Sequence, residues 1–325
     1  MELLEVKHLT VQFRTGNTLV TAVNDVSFSL SHRESLGLVG ESGCGKSTTA
    51  YALMGLLAKN GKIAAGEVLI EGKDLTKISD KEIRDLRWKD ISIVFQNSMT
   101  ALNPVRKVGD QIVDALQRHE KVSREDAIQR GKLIFDRVGI AKERFMQYPH
   151  EFSGGMKQRA VLALALICHP KIMLADEPTT ALDVVAQRQV LNLFRDLQEE
   201  FGLSLLMISH DISAVAEICE EIAVMYAGRI MEVGETKQVL HDPDHPYTYA
   251  LVNSFPSLHK PLTHLEQIPG SPPFLAQISP GCPFAPRCPF SEDLCSRECP
   301  PLMPAKGGKL CRCHFTNHLD FSRDG

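Results

Sequence analysis

The stretch Gly40-Glu41-Ser42-Gly43-Cys44-Gly45-Lys46-Ser47, followed by Thr48, restricts the fold more than any other part of the chain. Its three glycines let the backbone curl with successive N–H groups pointing inward, where a Cβ would obstruct an anion. Lys46 supplies a point charge for the β- and γ-phosphates of a nucleotide, and the Ser47 hydroxyl suits Mg²⁺. Residues 35–39 read as a short buried strand and residues 48–54 as a helix whose positive N-terminal end faces the phosphates. A Gly-rich turn with a chance Lys-Ser lacks that strand-then-helix setting. The pattern therefore predicts a nucleoside-triphosphate site with Gly40, Ser42, Gly43, Cys44, Gly45, Lys46, Ser47 and Thr48 around the phosphates.

The rest of the chain reads as support for that site. Residues 3–13 and 22–30 alternate as strands around a Gly16-Asn17 hairpin turn, giving a small antiparallel sheet in front of the loop. Phe13 is a candidate for stacking on adenine and, equally, an ordinary core aromatic. A further strand is expected at 66–72. Residues 91–95 form a buried strand ending on Gln96, a polar residue placed for metal or water contact. From 97 to about 165 the sequence turns polar and helical, with apolar residues at helical spacing over 107–119 and 123–138. Ser153-Gly154-Gly155 opens a long helix over 156–168, a second anion-binding helix start. As a bare triplet it is an N-cap and turn. Residues 171–176 then form a buried strand that delivers Asp176 and Glu177 at its carboxyl end. Asp176 suits the Mg²⁺ shell and Glu177 suits the general base for an attacking water. Asp183 precedes a helix over 184–201, and one more buried strand over 203–209 ends at His210, a γ-phosphate contact.

With 325 residues there is room for one large α/β domain and an appendage. A formal net charge of −4 with no basic field argues against nucleic acid as a partner. Residues 1–6 are acidic and strand-like rather than a leader, and the apolar run over 160–168 is too short to span a bilayer. A cytosolic chain that sits beneath a membrane is expected.

In order and spacing these residues closely resemble the ATPase subunit of ATP-binding-cassette transporters. Gly40 to Ser47 resembles the Walker A loop, Gln96 the Q-loop, and Ser153-Gly154-Gly155 with Gln158 the signature motif. Residues 172–176 with Glu177 resemble Walker B and the catalytic carboxylate, Ala181-Leu182-Asp183 the D-loop, and His210 the switch histidine. The resemblance covers residues 1–241. It implies an α/β nucleotide-binding domain with a P-loop core, an antiparallel β subdomain and a helical subdomain at about 97–165. It also implies sites shared across an ATPase dimer, the signature of one subunit closing over ATP on another. Motion would pass to two membrane permeases through the surface between Gln96 and Gln111. A soluble mechanical ATPase of chromosome organisation shares these motifs but inserts long coiled coils, and no sustained heptads occur here. A cytosolic iron–sulfur assembly or translation-factor ATPase is the other rival.

The remainder, 242–325, resembles the tail of dipeptide/oligopeptide importer ATPases, through His245-Pro246-Tyr247-Thr248 and Pro269-Gly270-Ser271-Pro272-Pro273. That branch, which includes nickel importers, implies a homologous second ATPase, an extracytoplasmic substrate-binding protein and a place on the cytoplasmic face of the membrane. Six of the nine cysteines crowd into this tail. In a reducing compartment such crowding points to a metal rather than disulfides. The branch's Cys-x5-Cys-x6-Cys-x17-Cys pattern is matched by Cys282, Cys288, Cys295 and Cys313, which implies a [4Fe–4S] cluster, with Zn²⁺ as the alternative. Cys299 and Cys311 are additional thiols, and Cys311 competes with Cys313 as fourth ligand. No sequence feature links this cap to the phosphate loop, so nucleotide binding is expected to be independent of it.

Overall fold

Alternating burial along β1 (Glu2–Thr15) and β2 (Thr18–Ser31) is that of an antiparallel hairpin with one covered face. The structure, a computed structural model, describes residues 2–96, 101–180, 182–254, 268–277, 280–319 and 321. β3 (Ser35–Val39) is buried at every residue and is followed, after the glycine loop, by α1 (Lys46–Leu53). β4 (Gly61–Ile70) pairs with β1 and carries β5 (Lys73–Asp74), so the first sheet has the order β2-β1-β4-β5. β4 begins before the expected residue 66. Its first half is largely exposed and pairs with the outer end of β1, so apolar alternation gives no sign of it. Gly66, at φ 92°, sits at the register shift between the halves.

α2 (Asp80–Leu86) starts with a capping box from Ser79 and Glu82 and leads to β6 (Ile91–Val94). α3 (Val108–His119), α4 (Arg124–Arg137) and α5 (Gly154–Leu166) make a helical layer. Its centre is an edge-to-face pair, Phe135 and Phe145, 5.1 Å apart. Then come β7 (Ile172–Asp176), α6 (Val184–Phe201), β8 (Ser204–Ser209), α7 (Ile212–Ile218), β9 (Glu221–Tyr226) and β10 (Arg229–Glu235). β7 and β8 are buried throughout, as parallel strands covered on both faces must be. The first part of the helical stretch, 97–100, and Ala181 of the expected D-loop lie outside the described residues.

The tail contributes α9 (Pro246–Asn253), α10 (Asp293–Arg297), β11 (Met303–Pro304) and β12 (Leu310–Cys311), after α8 (Thr236–His241) has ended the nucleotide-binding part. Among the described residues the second sheet has the order β11-β12-β10-β9-β3-β8-β7-β6, parallel from β9 through β6. The tail strands thus extend the sheet that holds the phosphate loop, with Cys311 opposite Glu232. Lys309, 1% exposed, locks this junction. Its ammonium lies 2.7 Å from Asp244 Oδ2 and 3.5 Å from Glu232 Oε1, and donates to the Asp242 carbonyl. The Asp244 and His245 N–H groups donate to the two Glu232 oxygens at 2.8 and 3.0 Å. Burial pushes the Glu232 carboxyl upward, against the pull of these donors and of Lys309. Among the described residues no helix is long and apolar enough to cross a membrane.

Candidate functional site

The loop between β3 and α1 is shaped by close approach. At Gly45, φ 110°, a Cβ would stand 2.4 Å from the Ala22 carbonyl oxygen; at Gly43, φ 79°, it would project into open space. A phosphate can approach the backbone where no side chain stands at a helix start. One cavity is lined by Ser42, Gly43, Gly45, Lys46, Ser47, Thr48, Gln96, Glu177 and Leu275. Lys46 is folded back on the loop, donating to the Gly40 and Glu41 carbonyls at 2.7 and 3.0 Å.

The parallel strands bring the acidic residues to the same edge. Ser47 Oγ donates to Asp176 Oδ1 at 3.0 Å, while Asp176 Oδ2 is buried with no hydrogen-bond partner among the described residues. Burial raises the Asp176 carboxyl, as does the neighbouring Glu177 charge, and the Ser47 hydrogen bond offsets part of this. A buried carboxylate oxygen of this kind beside a hydroxyl offers oxygen donors of the sort Mg²⁺ takes. Glu177 follows at φ 48°, its N–H bonded to the Ile208 carbonyl at 2.8 Å. Gln96 Nε2 and Thr180 Oγ1 each donate to Glu177 Oε2 at 2.8 Å, and His210 Nδ1 stands 3.2 Å from Oε1. Burial raises the Glu177 carboxyl, but Thr180, His210 and Lys46 outweigh it and hold it below the ordinary value. Thr180 was given no role from the sequence; its spacing three residues after Glu177 is the signal.

Five expected residues, Phe13, Ser153, Gly154, Gly155 and Asp183, stand away from this cluster. Phe13 lies on β1 with its ring against Gly61 of β4 and is not among the residues lining the phosphate cavity. Ser153 caps α5, accepting from the Met156 N–H at 3.3 Å, with Gly154 and Gly155 behind it. Gln158 of that helix donates to the Pro178 carbonyl, fixing the helix against the segment after Glu177. Asp183 caps α6, beside Val184 and Val185, which are 81% and 69% exposed.

No sequence feature links the tail to the phosphate loop, yet the structure places the two in contact. Arg287 grips the Glu41 carboxylate with two hydrogen bonds, 2.7 and 3.0 Å, and Tyr247 Oη accepts from the Glu41 N–H at 3.0 Å. Leu275 reaches the phosphate cavity from the same tail. An arginine beside a cysteine reads in sequence as a solvated charge, which is why this link was missed. Cys282, Cys288, Cys295 and Cys313 together line one cavity with Phe284, Phe290 and Phe315. Cys311 is fully buried in β12 and Cys299 donates weakly to the Pro300 carbonyl; neither lines that cavity. Burial pushes the Cys282 thiol up to about 12 and the Cys288 thiol up to about 11. Among the described residues no group of three or more His, Cys, Asp or Glu side chains is set to hold a metal ion.

Comparison with known proteins agrees with this geometry. Residues 23–180 match the ABC transporter family, and residues 231–295 match the oligopeptide/dipeptide transporter C-terminal region. The chain is 46% identical to the oligopeptide transport ATP-binding protein OppD of Haemophilus influenzae, covering 96% of each. It is 48% identical to the dipeptide transport ATP-binding protein DppD of Bacillus subtilis, covering 92% of this chain and 90% of that one. Its fold is similar to an ATP-binding cassette solved as a dimer in a post-hydrolysis state with ADP and Pi. There the TM-score is 0.65 at 26% identity, over 72% of this chain and 98% of the other. A cassette of the cbiONQ transporter complex from Clostridium perfringens gives 0.65 at 25% identity, over 74% and 91%.

Proposed function

Because the chain belongs to the family of ATP-binding subunits of oligopeptide and dipeptide ABC transporters, we propose that it powers peptide import through partner permeases. It is an ABC transporter ATPase. The observation that carries the mechanism is the convergence of Gln96, Thr180 and His210 on Glu177, beside the Asp176–Ser47 pair and the open glycine loop.

ATP enters with its β- and γ-phosphates in the concavity at Gly43, and Lys46 turns from the Gly40 and Glu41 carbonyls to meet them. Ser47, Asp176 and Gln96 would hold Mg²⁺, which neutralises phosphate charge as the transition state develops. Glu177 accepts the proton of the attacking water, once Gln96 and Thr180 release its Oε2. His210 then contacts the γ-phosphate and keeps Glu177 oriented. Phe13 supplies the adenine-stacking ring. Ser153, Gly154 and Gly155 close over ATP held by a homologous partner ATPase, and the exposed Val184 and Val185 beside Asp183 suit that apposition. The dimer engages two permeases on the cytoplasmic face of the membrane, and cargo arrives through an extracytoplasmic binding protein.

Cys282, Cys288, Cys295 and Cys313 would hold a [4Fe–4S] cluster, which supplies a covalent staple for the cap. What supports this reading is that the four thiols line one cavity, although among the described residues they are not already gathered around a metal position. The test of the whole reading is ATP hydrolysis by the four-subunit complex in lipid vesicles. Binding protein loaded with di- or oligopeptide should stimulate it severalfold, and nickel-loaded binding protein should not. Stimulation by nickel alone would move the chain to the nickel importers, and hydrolysis indifferent to both would sink the transport reading.

A further inference from the structure

Contacts from the tail converge on a single residue of the phosphate loop. The Glu41 carboxylate is held by both terminal nitrogens of Arg287, its N–H by the Tyr247 hydroxyl, and its carbonyl accepts from Lys46. We propose that Arg287 is a positioning residue for the phosphate-binding loop, through which the cysteine-lined cap sets nucleotide affinity. The inference rests on reading the loop as an ATP site.

Arg287 is built for this task. Its side chain is 7% exposed against 20% for Glu41, so the pair is shielded rather than solvated. Its guanidinium also donates to Tyr226 Oη at 3.1 Å and to the Pro269 carbonyl at 2.8 Å, and it lies over the Tyr226 ring at 5.7 Å. A forked, two-point grip fixes the orientation of a carboxylate, where a single-point contact would only attract it. Glu41 and Lys46 share the gripped peptide, so moving Glu41 moves the resting place of the lysine that must meet the phosphates.

The anchor is equally specific. Arg287 ends a short 3₁₀ turn, Ala285–Arg287, enclosed between Cys282 and Cys288. The Ala285 N–H bonds the Cys282 carbonyl and the Cys288 N–H bonds the Ala285 carbonyl, so the turn follows the two cavity-lining thiols. Arg312, between Cys311 and Cys313, is the natural control. It is also buried, yet it reaches the Ile230 and Pro300 carbonyls and Asp25, not the loop.

The test titrates MgADP into full-length protein by calorimetry, beside thermal unfolding. Arg287→Gln should weaken MgADP binding about tenfold, the scale of a lost charge-assisted pair. Glu41→Gln should weaken it similarly and folds even where Arg287→Gln does not. The double variant should be no worse than either single one, since both remove one interaction. Arg312→Gln should lower the melting temperature and leave MgADP affinity within about twofold. Unchanged affinity in Arg287→Gln, or an equal loss in Arg312→Gln, overturns the proposal. Failure of the unaltered protein to bind MgADP would instead overturn the ATP-site reading.

Discussion

The phosphate edge and the cysteine-rich tail are built on opposite principles. At the phosphate edge, regular strands decide where side chains go. β7 is buried along its whole length, so Asp176 and Glu177 have to emerge at its end beside α1 and His210. In the tail, side chains decide where the backbone goes. Its strands are two residues long, and its course is set by Lys309, Arg287, Arg312 and thiols that face a common cavity. The first region can lose a functional group and keep its shape. The second has short elements that depend on polar and thiol side chains and on the packing of Tyr247 and Phe284 against Tyr226.

The largest expected effect breaks the comparison on the catalytic side. Glu177→Gln keeps the volume and the capacity to hydrogen-bond but removes the base. Turnover of the assembled complex should fall by about 10²–10⁴-fold, the usual contribution of general base catalysis, with MgATP binding retained. Steady-state hydrolysis and equilibrium binding measured on one preparation separate the two. Near-normal turnover would take the base role away from Glu177.

Lys309→Met should be smaller in rate and larger in structure. Glu232 and Asp244 would remain buried without their cation, a situation that costs on the order of 3 kcal/mol or more. The expected result is a lower denaturant midpoint, with proteolysis beginning in the tail. An unfolding free energy within about 0.5 kcal/mol of the unaltered protein, the range of ordinary surface changes, would show that the buried ion cluster does not hold the tail.

The same contrast explains what could be read from the sequence. Helix and strand positions around the loop follow from period and burial: α6 is expected over 184–201 and runs Val184–Phe201. The pairing of Glu177 with His210 follows from two buried strands ending side by side. β4 escapes because its outer half has no fully buried residue and a single large apolar side chain, Ile63, too little to show a period. β11 and β12 escape because two residues have no period. Arg287 and Lys309 escape because sequence alone shows a charge and not its burial; only the fold brings Glu41 and Asp244 to them. Four thiols at family spacing were legible, and the cavity they line separates them from Cys299 and Cys311.

The smallest expected effect sharpens the comparison inside the tail itself. Cys295 and Cys299 are four residues apart, the first buried and lining the cavity, the second half-buried and outside it. Cys299→Ser removes a weak sulfur contact to the Pro300 carbonyl, 3.8 Å long, and leaves the four cavity-lining thiols in place. Its stability should change by no more than about 0.5 kcal/mol, and anaerobically purified protein should keep its brown colour, iron and sulfide. Cys295→Ser is the reference. On the proposed cluster reading it removes one of the four ligands, and it should then bleach the protein and free the cap from its staple. The two variants make the same Cys-to-Ser change, one on α10 and one just beyond its end, so a difference between them reports the cavity. Equal iron and sulfide in both would mean that the cavity-lining set is not the ligand set. Zinc without sulfide in the unaltered protein would replace the cluster by a single ion.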